Sequence, residues 1–128
     1  MFEINAMSSV PVYEQLVDQI EKYIASGILT SGDQLPSVRS LSVSLSVNPN
    51  TVQKAFSDLT GRGIICGVPG KGNYVTERAL DTIKAKGRLR VSEFIKIVHE
   101  LALAGVGKEE LTALIEKEYV QEGGNNDD

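Results

Sequence analysis

The sequence predicts a mainly α fold with a small β-hairpin, a winged helix-turn-helix domain followed by a short two-helix C-terminal region. Three observations carry that prediction. Two short amphipathic segments, 37–45 and 49–61, are separated by only a few residues, "SVN", with an apolar Val47 among them. Two helices joined by a turn of three or four residues form a helix-turn-helix. A β-branched and aromatic stretch then flanks "PGKG" within 64–76, which reads as a hairpin directly after the second of those helices.

The elements follow in order. Residues 10–26 read as a first helix, with Pro11 at the first helical position, Leu16, Val17, Ile20 and Ile24 inward, and Glu14, Asp18 and Glu21 outward. Gly27 is its expected stop, and 28–36 is a turn-rich connection. Ser37 is placed to cap the next helix, whose Val38, Leu41 and Leu45 face inward. Proline is costly inside a helix, about 3 kcal/mol. With Asn48 before it as N-cap, however, Pro49 falls at the first helical position, where its missing N–H is harmless. The stripe Val52, Ala55, Phe56 and Leu59 then carries that helix to about Gly61–Gly63. Strands are expected at 64–68 and 73–76.

A second region begins near residue 79. Leu80, Gly87, Phe94 and Leu101 are spaced by sevens, with Val91 and Val98 between them, and Ile95, Ile97 and Leu103 widen the apolar face. "AGVG" at 104–107 ends this helix. Another is expected over 108–121, with Leu111, Leu114, Ile115 and Tyr119 inward. The domain division is therefore 1–76 for the winged helix-turn-helix, 77–122 for the helical region, and 123–128 for a polar tail with nothing to bury. The apolar face of the second region is wider than a helix pair can bury alone. A homodimer is the expected solution, with Val91, Phe94, Ile95, Val98, Leu101, Leu111, Leu114 and Ile115 at its interface. The competing arrangement folds this region back onto its own winged helix.

Composition narrows the function. The 128 residues suit one domain with an appendage, and no apolar run approaches the ~20 residues of a membrane span, so no membrane partner is expected. The start of the chain lacks the pattern of a secretory signal, and the single Cys66, read as a small apolar strand residue, fits a reducing cytoplasm. Net charge is −4, but residues 36–75 hold Arg39, Lys54, Arg62 and Lys71 against Asp58 alone, while acids crowd the C-terminus. A local basic surface is an electrostatic footprint for nucleic acid even in an acidic chain.

With Val52, Ala55, Phe56 and Leu59 buried, Asn50, Thr51, Gln53, Lys54 and Ser57 must face outward. Asn and Gln make paired bonds to adenine, Lys reaches guanine or phosphate, and Thr touches a thymine methyl or a phosphate. The free N–H groups and positive dipole end of the same helix favour phosphate. Beside such a recognition helix, Arg39 becomes a candidate phosphate or base contact. "GVPGKG" fails as a nucleotide-binding loop, since Ile65 stands where the first glycine is required and Gly72 follows Lys71 in place of Ser or Thr. It reads as a wing tip whose glycines, Gly70 and Gly72, allow close backbone approach while Lys71 reaches phosphate or the minor groove. No catalytic constellation, cofactor fingerprint or metal spacing is present: His99 is the only histidine and lies far from Cys66. The chain is expected to be no enzyme and to need no cofactor. The alternative is a winged helix that binds proteins, against which the acid-free face at 50–57 and the basic wing both argue.

These residues resemble a known family. "PVYEQLVDQI" (11–20), "GDQLPSVRSLS" (32–42), "VNPNTVQKAFSDL" (47–59), "GII" (63–65) and "GKGNYV" (70–75) are similar, in order and spacing, to the DNA-binding domain of the GntR family of bacterial transcription regulators. "VNPNTVQKAF" with a short helical tail resembles its YtrA-like subgroup; the roughly 50 residues after the wing leave no room for the effector or aminotransferase-like domains of larger subgroups. The resemblance implies a homodimer on a double-stranded DNA operator, usually a repressor, commonly of a transporter operon. Apart from the resemblance, a cleft between wing and tail is a third candidate site, for a small-molecule effector that no residue of the sequence identifies. By the same resemblance Arg39 contacts DNA, as do Asn48, Asn50 and Thr51 with Gln53 and Lys54 further along, and the wing residues Gly70, Lys71 and Gly72. Two departures shift the load. Many relatives carry arginine where Pro49 stands, and often at Gln53, so Asn50 and Lys54 must carry more of the recognition. Ser46 replaces the usual turn glycine, a strained choice if that position needs positive φ.

Overall fold

The computed structural model describes residues 2–126, excepting the side chains of 121–126. Its elements are α1 (Val12–Ala25), α2 (Val38–Leu45), α3 (Pro49–Gly61), β1 (Ile65–Val68), β2 (Gly72–Val75), α4 (Ala79–Leu103) and α5 (Lys108–Asn126). The described residues form two compact units that divide between Arg88 and Leu89, inside α4, and not near residue 76. The reason lies in the first turns of α4. Ala79 is buried and Ile83 packs on the core of the first unit, while Lys86 lies 3.8 Å from Glu21 of α1.

In the first unit the three expected apolar stripes meet. Leu16, Ile20, Val52, Phe56 and Leu59 are fully buried, together with Ile64 and Ile65 at the entry to the hairpin. Val17 and Ile24 of α1, Ala55 of α3, and Leu29, Leu35, Leu41, Val75 and Ala79 complete the core. The local stops and starts are mostly as the sequence implies. Ser37 accepts a hydrogen bond from the Ser40 N–H at 3.0 Å, and Asn48 from the Asn50 N–H at 2.8 Å, with Pro49 opening α3 behind it. Pro11 differs: its extended backbone makes it the N-cap of α1, one position earlier than expected.

Between α2 and α3 the chain turns through Ser46, which has φ 55° and ψ 43°. This is a Schellman ending: the Ser46 N–H bonds to the Val43 carbonyl and the Val47 N–H to that of Ser42. The buried Ser42 hydroxyl donates back to the Val47 carbonyl at 2.6 Å. The turn therefore does require the left-handed region, and three hydrogen bonds hold a serine in it.

The hairpin pairs Ile65 with Val75, Cys66 with Tyr74, Gly67 with Asn73 and Val68 with Gly72. Cys66 is exposed on β1. A third backbone stretch that the sequence presents only as a turn-rich connection lies along β2. Gln34 bridges Tyr74, and the N–H groups of Gly32, Leu35 and Val75 bond to the carbonyls of Val75, Asn73 and Asp33 at 2.8–2.9 Å. The segment before α1 is also tied down. The Gln15 and Gln19 carboxamides each accept from and donate to one backbone residue, Asn5 and Glu3 respectively, as a neighbouring strand would.

In the second unit, α4 ends in another Schellman motif. Gly105, at φ 88°, donates to the Ala102 carbonyl and Val106 to that of Leu101. Val98, Leu101, Val106 and Leu111 are half-buried around this turn. Leu114, Ile115 and Tyr119, expected inward, are exposed in the single chain, as are Val91, Phe94 and Ile95. Periodicity identifies which face of α5 is apolar, and the single chain leaves most of that face uncovered. Helix α5 continues through Asn126, past the expected boundary at 122, and residues 127 and 128 of the expected tail lie outside the described residues. No helix of the described residues is long and apolar enough to cross a membrane.

Candidate nucleic-acid interface

The N-terminal half of α3 presents the expected polar face. Asn50, Gln53, Lys54 and Ser57 are exposed and Thr51 is half-buried, beside the fully buried Val52, Ala55 and Phe56. The first turn contains no acidic residue. Gln53 bonds to Ser57 one turn on, at 3.3 Å. The Asn48 side-chain oxygen is committed to capping, which leaves its amide N–H2 to face outward. Lys54 is not an isolated cation: its ammonium rests 4.0 Å from the centroid of the Tyr13 ring on α1. The charge of Glu14 beside it, then burial, hold the Tyr13 phenol above its ordinary pKa.

The charge count of the sequence needs one correction. Arg62 does not add to a free basic surface. Its guanidinium reaches Glu21 at 2.5 Å and Asp58 at 2.7 Å, clamping the C-terminal end of α3 to α1. Burial alone would lower its pKa, but the hydrogen bonds to Glu21 and Asp58 outweigh that and hold it above the usual value. Glu21, expected to point outward, is correspondingly half-buried, with its side chain only 15% exposed. The sequence shows Asp58 four residues from Arg62, but nothing in it shows Glu21 beside them.

Arg39 is the second residue of α2, exposed and without an ion pair among the described residues. The wing turn is built from Val68, Pro69, Gly70 and Lys71. Pro69 and the positive-φ Gly70 (75°) fill the central positions of a type II turn, closed by the Lys71 N–H on the Val68 carbonyl at 2.9 Å. Lys71 is exposed. The wing residues Gly67–Asn73 and the α2 cap Ser37 line one open depression, so the wing tip and the start of the Arg39 helix are neighbours. Two residues to which the sequence assigns no role join the site here: Tyr13, under Lys54, and Gln34, whose Nε2 donates to the Lys71 carbonyl at 2.6 Å. Tyr13 heads the α1 apolar stripe three residues before Leu16, a sequence signal for a half-buried aromatic at that edge. Gln34 carries no such signal.

This arrangement can take up a polyanion: a positive helix terminus, neutral hydrogen-bonding side chains behind it, and two exposed cations on flanking elements. No group of three or more His, Cys, Asp or Glu residues placed to hold a metal occurs among the described residues.

The family model described as "Bacterial regulatory proteins, gntR family" matches residues 12–75. The HTH-type transcriptional repressor YtrA of Bacillus subtilis is 38% identical over 112 residues, covering 87% of this chain and 86% of YtrA. A GntR family transcriptional regulator from Listeria monocytogenes superposes with a TM-score of 0.69 at 35% identity, over 86% of this chain and 96% of that one. A crystal structure of AraR(DBD) in complex with operator ORE1 matches 59% of this chain and 93% of its own, with a TM-score of 0.51 and 25% identity.

Proposed function

The chain belongs to the gntR family of bacterial regulatory proteins and is a DNA-binding transcriptional regulator, not an enzyme; from that premise we propose that it represses transcription from the bacterial cytoplasm, binding a palindromic operator as a homodimer. The observation that carries this reading is the acid-free N-terminal face of α3. Asn50, Thr51, Gln53 and Lys54 read or position bases in the major groove. The Asn48 amide and Arg39 hold phosphates on either side of the α2–α3 turn. Gly70 and Gly72 let the wing backbone approach, and Lys71 reaches phosphate from it.

The dimer is supported by the second unit. Phe94 is 49%, Ile95 61% and Leu114 56% exposed, an apolar face that a second copy would cover. Val91, Val98, Leu101, Leu111 and Ile115 complete the interface of this reading. A two-fold pair would set two recognition helices about one DNA turn, or a multiple of it, apart. Control of a transporter operon is the biological role that belongs to this reading.

The test is DNA selection from genomic fragments on the purified protein, followed by affinity titrations at several salt concentrations. A palindromic site bound by two chains is the expected result. Lys71→Ala should weaken binding and flatten the log–log salt dependence by about one unit, the signature of one phosphate contact. A protein that selects no fragment and shows no salt-sensitive binding would instead be a winged-helix protein–protein module.

A further inference from the structure

We propose that Gln34 is a positioning residue of the wing: it locks the backbone of Lys71 so that this lysine is presented to DNA on a rigid turn. The inference rests on the reading that Lys71 contacts phosphate, and goes beyond it.

The backbone of Lys71 is held at both ends. Its N–H closes the type II turn on the Val68 carbonyl, and its own carbonyl accepts the Gln34 carboxamide at 2.6 Å. Only the side chain is free. The fit around Gln34 is tight: a Cβ added at Gly72, which has φ 120°, would come within 2.8 Å of the Gln34 Nε2. Glycine at this position thus does two things, adopting a left-handed conformation and leaving room for the carboxamide. Gln34 is itself fixed, because its backbone bridges Tyr74 and the next residue, Leu35, donates to the Asn73 carbonyl at 2.8 Å. Pro36 and the α2 cap Ser37 follow at once. The carboxamide therefore ties the wing tip to the segment that launches the helix carrying Arg39.

A turn fixed in this way loses less freedom when its lysine meets a phosphate, which favours binding without adding a contact. Gln34 acts only through Lys71. Its removal should be felt in DNA affinity when Lys71 is present and not when Lys71 is absent.

The experiment is a double-mutant cycle in the full chain. Gln34→Met keeps the length of the side chain and removes the donor, and Gln34 is exposed, so the fold should survive. Expected are a loss of operator affinity of about fivefold for Gln34→Met, the equivalent of one hydrogen bond, faster amide exchange at Lys71 and Gly72, and an unchanged melting temperature. In the Lys71→Ala background the same substitution should change affinity by less than twofold. A fivefold loss that persists in that background would overturn the proposal, as would no loss beside a fully effective Lys71→Ala. If Lys71→Ala itself leaves affinity and salt slope unchanged, the phosphate reading fails and the positioning role falls with it. Accelerated exchange in Gln34→Met would then still identify the carboxamide as an anchor of the turn, separating the two failures.

Discussion

Asn50→Asp should stabilise the protein and impair its binding to DNA. Asn50 is the second residue of α3, exposed, with its N–H already bound to the Asn48 side chain. An acid in the first turn of a helix interacts favourably with the dipole, by about 0.3–1 kcal/mol at an exposed site. No first-turn residue of α3 supplies one. For a unit of this size, 1 kcal/mol moves the melting temperature by roughly 4–8 °C, so the variant should melt about 1–8 °C higher at low salt. Against DNA the sign reverses. The aspartate loses the amide donor, faces phosphate or a base acceptor, and should lower operator affinity by roughly 10- to 100-fold, the equivalent of about 1.5–3 kcal/mol for a hydrogen bond to a charged group. Thermal melts followed by circular dichroism and polarisation titrations on one preparation measure both. Affinity within twofold of the parent would refute the placement of Asn50 at the DNA. A fall in both quantities would show that the substitution had damaged the helix and that the dipole argument fails here.

Two further substitutions test the framework around the site. Ser46→Gly relieves a left-handed serine whose hydroxyl makes no hydrogen bond among the described residues; after the added entropy of the unfolded chain it should gain about 0.5–1 kcal/mol in urea unfolding, and a loss would mean the turn is not strained. Arg62→Met removes the clamp on Glu21 and Asp58 and should lose about 1–2 kcal/mol, with operator affinity per folded molecule and its salt slope unchanged; a flatter slope would return Arg62 to the DNA-facing surface.

The parts of the fold that were legible in the sequence are the local ones. Helix α3 could be placed because its stripe, its cap Asn48 and Pro49 lie within twelve residues of one another, and each acts through a backbone neighbour. The positive φ at Ser46 was foreseeable from the resemblance for the same reason. Contacts made across the fold were not legible. Gln34 and Lys71 are 37 residues apart, and Arg62 and Glu21 are 41 apart. In the sequence each of these is an ordinary polar residue in a polar neighbourhood. From sequence alone Arg62 therefore counts as a free cation, and residues 32–35 read as part of a turn-rich connection, although their backbone lies along β2. Periodicity was informative about Leu114 and Ile115 only up to a point: it shows which face of α5 is apolar, but not whether the same chain covers it.

The site divides its labour by charge. The geometry of the turn and wing is set by neutral groups: Ser37 to the Ser40 N–H, Ser42 to the Val47 carbonyl, Asn48 to the Asn50 N–H, Gln34 to the Lys71 carbonyl and Thr76 to the Gly63 carbonyl. These bonds are short-ranged and nearly indifferent to ionic strength. The charged residues with a structural role, Glu21, Asp58, Arg62 and Lys86, gather instead at the opposite end of α3, where Arg62 and Glu21 are partly buried and less screened. Arg39 and Lys71 are left without an ion pair among the described residues, so neither must give up an intramolecular partner to meet a phosphate. Salt should therefore separate binding from folding. Between 50 and 200 mM, operator affinity should fall steeply, because each phosphate contact contributes about 0.9 to the log–log slope, while the unfolding free energy should shift by no more than the few tenths of a kcal/mol that screening of exposed pairs allows. Parallel titrations and urea melts across that range measure both. A stability that falls in step with affinity would mean that exposed ion pairs hold the wing and the helices in place, and that the neutral bonds do not.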